Sequence, residues 1–292
     1  MKLFQQKTVI NKCETAKEFA EAYQIGKGDF ILASKSTYDA YFTPLGLDAH
    51  VEYKSEYGKG EPTDVMIDAL IADYKASGCD RIIAIGGGGV IDMAKILVLE
   101  GEHTAEQVYR RQVPLKKAHT LIAVPTTCGA GSEVSNVSIA ELTSIHSKMG
   151  LADDSIFADE AVLVPELLTK LPYSFFATSA IDAFIHAIES YVSPKATLYT
   201  RMFSNQAMEM ILDGFQKIVE YGPEYGDSGS VSGGKRSCRC GIWQCGNRRG
   251  ACYVLSVEWG VSCGTRRSQL SVPDSCICGI SESESRWRIK RA

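Results

Sequence analysis

Between Arg81 and Gly101 the chain reads RIIAIGGGGVIDMAKILVLEG. Apolar, β-branched residues stop on four glycines, and apolar residues then recur at helical spacing. This is a buried strand, a turn with no side chains in its way, and a helix start. A strand that leads at once into a helix belongs to a crossover unit, and so to a parallel sheet rather than a hairpin. TLIAVPTTCGAGSE (120–133) repeats the theme, with a strand from Leu121 to Val124 and a loop rich in Gly and Thr. GDFILASK, from Gly28, reads as another short buried strand. TDVMIDALIADYKASGCD (63–80) reads as a helix closed by Gly78. The fold class expected is α/β, with a parallel-sheet nucleotide-binding domain over 1–165. From 166 the pattern turns helical, with Pro172 near a helix start and a second helical run to Gly222. Residues 166–225 are therefore expected to be the first helices of an incomplete helical domain.

Three stretches carry chemistry. In GGGGVIDMAK (Gly86 to Lys95) the glycines let backbone approach a diphosphate, and the helix start offers N–H groups and a positive dipole end. The alternative is a plain tight turn, with Asp92 and Lys95 as ordinary first-turn residues; the spacing is not G-x-G-x-x-G. In PTTCGAGSE (Pro125 to Glu133), hydroxyls and exposed N–H groups suit a phosphate or ribose, although a plain loop fits equally. Both loops follow strands and meet at one sheet edge, where ligands of such sheets bind. In TSAIDAFIHAIES, Asp182 and His186 stand four apart on one helical face. A carboxylate and an imidazole are divalent-metal ligands, but an isolated pair is more often a hydrogen-bonded surface pair. His50, His103, His119 and His146 offer no ligand spacing.

With 45% hydrophobic and 23% charged residues the composition is that of an ordinary globular protein. Charge interrupts the longest apolar runs, which argues against a membrane span, and the N-terminus lacks a secretory pattern; a cytoplasmic location is expected. A net charge of −4 gives no reason to expect nucleic acid as a partner.

In order and spacing, the three stretches resemble the iron-dependent alcohol dehydrogenases, over most of 1–225. That resemblance implies a nucleotide-binding α/β domain followed by a helical domain, with the active site in the cleft between them. It implies Gly87, Gly88 and Gly89 at the cofactor diphosphate with Asp92 nearby. Thr126, Thr127 and Ser132 would line the nicotinamide side, and Lys148 would reach the cofactor. Asp182 and His186 would bind Fe2+ or a similar ion. NAD is the cofactor implied. Ser34, standing where many NAD-preferring relatives carry Asp, leaves NADP as an alternative. The reaction implied is hydride transfer from a short ω-hydroxy acid, 4-hydroxybutyrate going to succinate semialdehyde. A diol, lactaldehyde or simple alcohol is the alternative substrate, and a homo-oligomer the assembly of an intact member. A non-catalytic nucleotide-binding fragment is the rival from another class.

Two further histidine ligands of the family pattern have no counterpart here. Residues 1–225 hold 20 Lys and Arg against 30 Asp and Glu; residues 226–292 hold 11 against 5, with seven of the ten cysteines and all three tryptophans. Codons that can be written for Gly241 to Gly246, moved one base, spell Ala-Phe-Gly-Asn-Ala. The same frame permits His-Ala-Met-Ser-Tyr-Pro-Leu across Ala251 to Glu258 and His-Val-Ala-His-Gly-Glu-Ala-Asn across Ser262 to Leu270. Both resemble the family's missing histidine stretches. Residues 226–292 are therefore expected to be an out-of-frame tail, frameshifted and truncated relative to the family and without stable structure. A cysteine-rich zinc tail is the competing reading; it lacks any C-x-x-C pair.

Overall fold

The computed structural model describes residues 5–221, and the backbone alone at Tyr221. The expected out-of-frame tail lies outside the described residues. In chain order the strands are β1 (Val9–Lys12), β2 (Asp29–Ala33), β3 (His50–Tyr53), β4 (Arg81–Gly86), β5 (Thr120–Pro125), β6 (Val137–Leu142), β7 (Ser147–Ala152) and β8 (Glu160–Leu163). The α-helices are α1 (Ala16–Ala22), α2 (Lys35–Tyr41), α3 (Lys54–Tyr57), α4 (Asp64–Ser77), α5 (Gly88–Leu97), α6 (Ala105–Tyr109), α7 (Tyr173–Val192) and α8 (Leu198–Tyr221).

Six strands form a parallel sheet in the order β1-β8-β5-β4-β2-β3. Helices cover both faces, so the central strands are apolar throughout rather than alternating. Phe30, Leu32, Ile82, Ala84, Leu121 and Ala123 enter one core, which α4 and α5 complete with Ile67, Leu70, Ile91 and Met93. The intervening Ile31, Ile83, Ile85, Ile122 and Val124 enter the other, with Phe19 and Phe42. The chain leaves β2 toward one edge and β4 toward the other. The switch point therefore lies between β2 and β4, beside the glycine turn.

Local signals explain the helix ends. Thr63 caps α4 by accepting from the Met66 N–H at 3.2 Å, and Gly78 closes it at φ +65°. Pro172 stands immediately before α7, as expected. The antiparallel hairpin β6–β7, paired from Val137↔Ala152 to Leu142↔Ser147, was not expected. Its strands carry Ser138, Glu141, Ser147, Lys148 and Gly150, which blur an alternating pattern.

Helix α7 buries Phe176, Ala180, Ala183 and Ala187, spaced by four, three and four residues, and packs on Ile211, Phe215 and Ile218 of α8. Another stripe, Ile181, Ile185, Ile188 and Val192, is exposed, as are Leu198, Met202 and Leu212 on α8. No described helix is long and apolar enough to cross a membrane.

Candidate functional site

Gly86 ends β4, and Gly87, in extended backbone, caps α5 without a side chain. Side chains here would collide. A Cβ on Gly86 would stand 2.6 Å from the Cβ of Val90, and one on Gly88 2.8 Å from that of Ala130. The loop after β5 thus lies directly against the start of α5. Thr127 completes the contact, its methyl 3.4 Å from where a Gly87 Cβ would be, and the Thr126 N–H donates to the Gly86 carbonyl at 3.0 Å. On the other flank of the turn the Ser34 N–H donates to the Ile85 carbonyl at 2.9 Å. Ser34 caps α2 without a side-chain hydrogen bond. The glycine turn, Ser34 and the threonines therefore share the carboxyl edge of the sheet, with a helix N-terminus at its centre.

Asp92 and Lys95 are not ordinary first-turn residues. Lys95 has no exposed surface, and its ammonium donates to Ser132 Oγ (2.8 Å), Ser135 Oγ (3.3 Å) and the Val137 carbonyl (2.5 Å), with Asp92 Oδ1 at 3.5 Å. Ser132 in turn donates to Asp92, and the Ile139 N–H reaches Asp92 Oδ2 at 3.1 Å. Burial pushes the Asp92 carboxyl up and the Lys95 ammonium down, and their attraction opposes both shifts. Asp92 and Ser132, expected beside the cofactor, thus have side chains turned toward each other and Lys95, in a bracket that holds the second loop to α5. Their one-turn helical spacing gave Lys95 the look of a surface residue. Only its pairing with a serine-rich loop forty residues on, which single-sequence reading cannot see, marks it otherwise.

Lys148 stands opposite Glu141 in the hairpin and pairs with Glu61. The neighbouring Pro62 would meet a Cβ on Gly89 at 3.2 Å, which places this ion pair beside the glycine turn.

The loop also grips α7. A Cβ on Gly129 would be 2.0 Å from the Ser179 carbonyl oxygen, and Cys128 Sγ lies 3.0 Å from Ser179 Oγ. Asp182 and His186 follow Ser179 by three and seven residues, so they share its helix face, toward the loop. His186 Nδ1 is 3.7 Å from Asp182 Oδ2. That nitrogen is buried and has no hydrogen-bond partner. An unpartnered imidazole nitrogen facing a carboxylate is a donor set suited to a divalent metal. Among the described residues no third His, Cys, Asp or Glu joins them.

Burial raises the Cys128 thiol to about 11, against a smaller opposing effect from Ser179. At pH 8 only about one such thiol in a thousand is ionised. Native alkylation by iodoacetamide, followed by peptide mapping, should leave Cys128 unmodified until denaturant is added. Prompt labelling in the native protein would show that the loop does not stay on α7.

A family model described as iron-containing alcohol dehydrogenase matches residues 4–165, and the corresponding C-terminal model matches 176–232. The chain is 48% identical over 225 residues to the 4-hydroxybutyrate dehydrogenase of Clostridium kluyveri, covering 77% of this chain and 61% of that protein. It is 34% identical over 206 residues to the probable alcohol dehydrogenase EutG of Escherichia coli, covering 70% and 51%. The chain thus spans about half to three-fifths of the length of these relatives. Sulfoacetaldehyde reductase from Bifidobacterium kashiwanohense, solved in complex with NAD+, superposes with a TM-score of 0.72 at 19% identity, over 87% of this chain and 66% of that one.

Proposed function

We propose, for a chain that belongs to the iron-containing alcohol dehydrogenase family, hydride transfer between NAD and a short ω-hydroxy acid, 4-hydroxybutyrate to succinate semialdehyde. The observation that carries the substrate is the 48% identity to a 4-hydroxybutyrate dehydrogenase. In this reading the diphosphate lies on the backbone of Gly87, Gly88 and Gly89, at the α5 N-terminus. Thr126 and Thr127 line the nicotinamide side, the bracket of Lys95, Asp92 and Ser132 fixes the loop that carries them, and Lys148 reaches the cofactor from the rim. Asp182 and His186 hold the metal, a role their unpartnered nitrogen and carboxylate fit. Bound there, a divalent iron would supply Lewis acidity toward the substrate oxygen, with NAD as hydride acceptor. A cytoplasmic, homo-oligomeric enzyme acting on a small molecule belongs to the same reading.

The pair of ligands without a third among the described residues favours a second reading for the chain as written, a nucleotide-binding protein that loses its metal. On this reading the missing histidines are those spelled by the shifted frame across 251–270. Two tests separate the readings. Resequencing from the codon of Glu220 through the stop should find one base missed or added. If the sequence stands, the purified chain should enhance NADH fluorescence, lose iron on dialysis, and oxidise 4-hydroxybutyrate at least about a hundredfold more slowly than a frame-restored protein, since even a lost supporting contact costs up to that factor. Full turnover by the unaltered chain would overturn the incomplete-site reading. A frame-restored protein that ignores 4-hydroxybutyrate but oxidises a simple alcohol would overturn the substrate.

A further inference from the structure

A cavity of about 320 Å³ lies at the amino edge of the sheet, the opposite end from the glycine turn, where α4 ends and the chain leaves α5. Helix α4 runs into β4 and α5 runs back from it, so both C-termini sit at the amino ends of the strands; His119, one residue before β5, is there too. The walls are apolar and buried: Ile71, Leu97 and Leu99. Two polar groups in the lining are unsatisfied. Tyr74 is only 5% exposed, and its hydroxyl has no hydrogen-bond partner; nor has Nε2 of His103. Folded proteins seldom leave such groups unpartnered.

Their chemistry is complementary. Burial raises the Tyr74 phenol, so it stays protonated and offers a donor. Burial, aided by the Lys75 ammonium, lowers His103 and keeps the ring neutral. The Glu100 backbone acts on the ring in the opposite, weaker sense. With the ring proton on Nδ1, the partnerless Nε2 presents a lone pair. Lys75 and Glu102, which also line the cavity, pair at 2.8 Å and cancel each other, so the lining does not select a charged guest. Among the described residues no three His, Cys, Asp or Glu side chains are grouped so as to hold a metal ion. The smallest group that accepts from a phenol and donates to an imidazole nitrogen is a hydroxyl.

We propose that this cavity is a second binding site, separate from the carboxyl-edge cleft, for a small uncharged molecule with a hydroxyl on an apolar body. The hydroxyl engages Tyr74 and His103, and the body fills the space between Ile71, Leu97 and Leu99.

The test is 19F NMR on the full chain with 4-fluorophenol as probe and 4-fluorotoluene, which lacks the hydroxyl, as comparison. The phenol should show saturable line broadening below about 10 mM, which is weak binding on the scale of such contacts. Fluorotoluene, which loses both hydrogen bonds, should bind at least about tenfold more weakly, and the phenol should bind Tyr74→Phe, which loses one, about tenfold more weakly. The substituted ring keeps its edge contacts with Phe30 and His119, at 5.1 and 5.2 Å between centroids. Added NADH should leave the binding unchanged, which makes the result independent of the dehydrogenase reading. No saturation, equal binding of the two probes to the unsubstituted chain, or competition by NADH would overturn the proposal. In the first two cases the unsatisfied groups are served by water alone.

Discussion

Lys95→Ala should lower the free energy of unfolding by about 3–5 kcal/mol, the cost of leaving a buried charge without its partner. The ammonium is fully buried and holds Ser132, Ser135 and the Val137 carbonyl to α5, while Asp92 accepts from Ser132 and the Ile139 N–H. Removing it abandons the Asp92 carboxylate, opens a cavity, and leaves three acceptors without a donor. Urea titration of the single variant and of Lys95→Met with Asp92→Asn separates charge from packing. Loss of both charges together should recover part of the stability, because the pair is coupled. If the single substitution costs less than about 1 kcal/mol, the bracket is not what fixes the loop.

Gly129→Ala should be the second large effect. The added carbon would arrive 2.0 Å from a backbone oxygen of α7, and no rotamer change can move that atom away. Either the loop or the helix must shift, at about 3 kcal/mol, the upper end for forced overpacking. The melting temperature should fall, and Cys128 should become alkylatable in the native protein as its contact with Ser179 parts. Unchanged melting together with unchanged labelling would show that the contact between loop and helix is loose.

What the sequence disclosed about this fold follows from how local each signal was. The parallel sheet was legible because its central strands are continuous apolar runs stopped by glycine, as in RIIAIGGGG, and that pattern needs only neighbouring residues. Helix α4 was legible from Thr63 to Gly78 for the same reason. The hairpin β6–β7 was not, because its strands mix polar and apolar residues and are held by pairing across a turn. Edge strands β1 and β3 are only four residues each, too short to show a period. At the site, the glycines, the threonine loop and the Asp182–His186 spacing could be read from residue types alone. The inward turn of Asp92, Lys95 and Ser132 could not, since it depends on where a loop forty residues away returns to α5. Nor could the contact of Gly129 with Ser179, which is a fact about the distance between two backbones.

The sheet order carries a consequence for the chain as it is made. Strand β1 pairs only with β8, so Val9 waits for Glu160, and the sheet has all six strands once Leu163 has been synthesised. Everything the sheet needs is therefore encoded upstream of the change in composition near residue 226. Domains fold as units from the N-terminal side during synthesis. Whatever follows residue 226 is read only after the message for the six-stranded sheet has been fully translated.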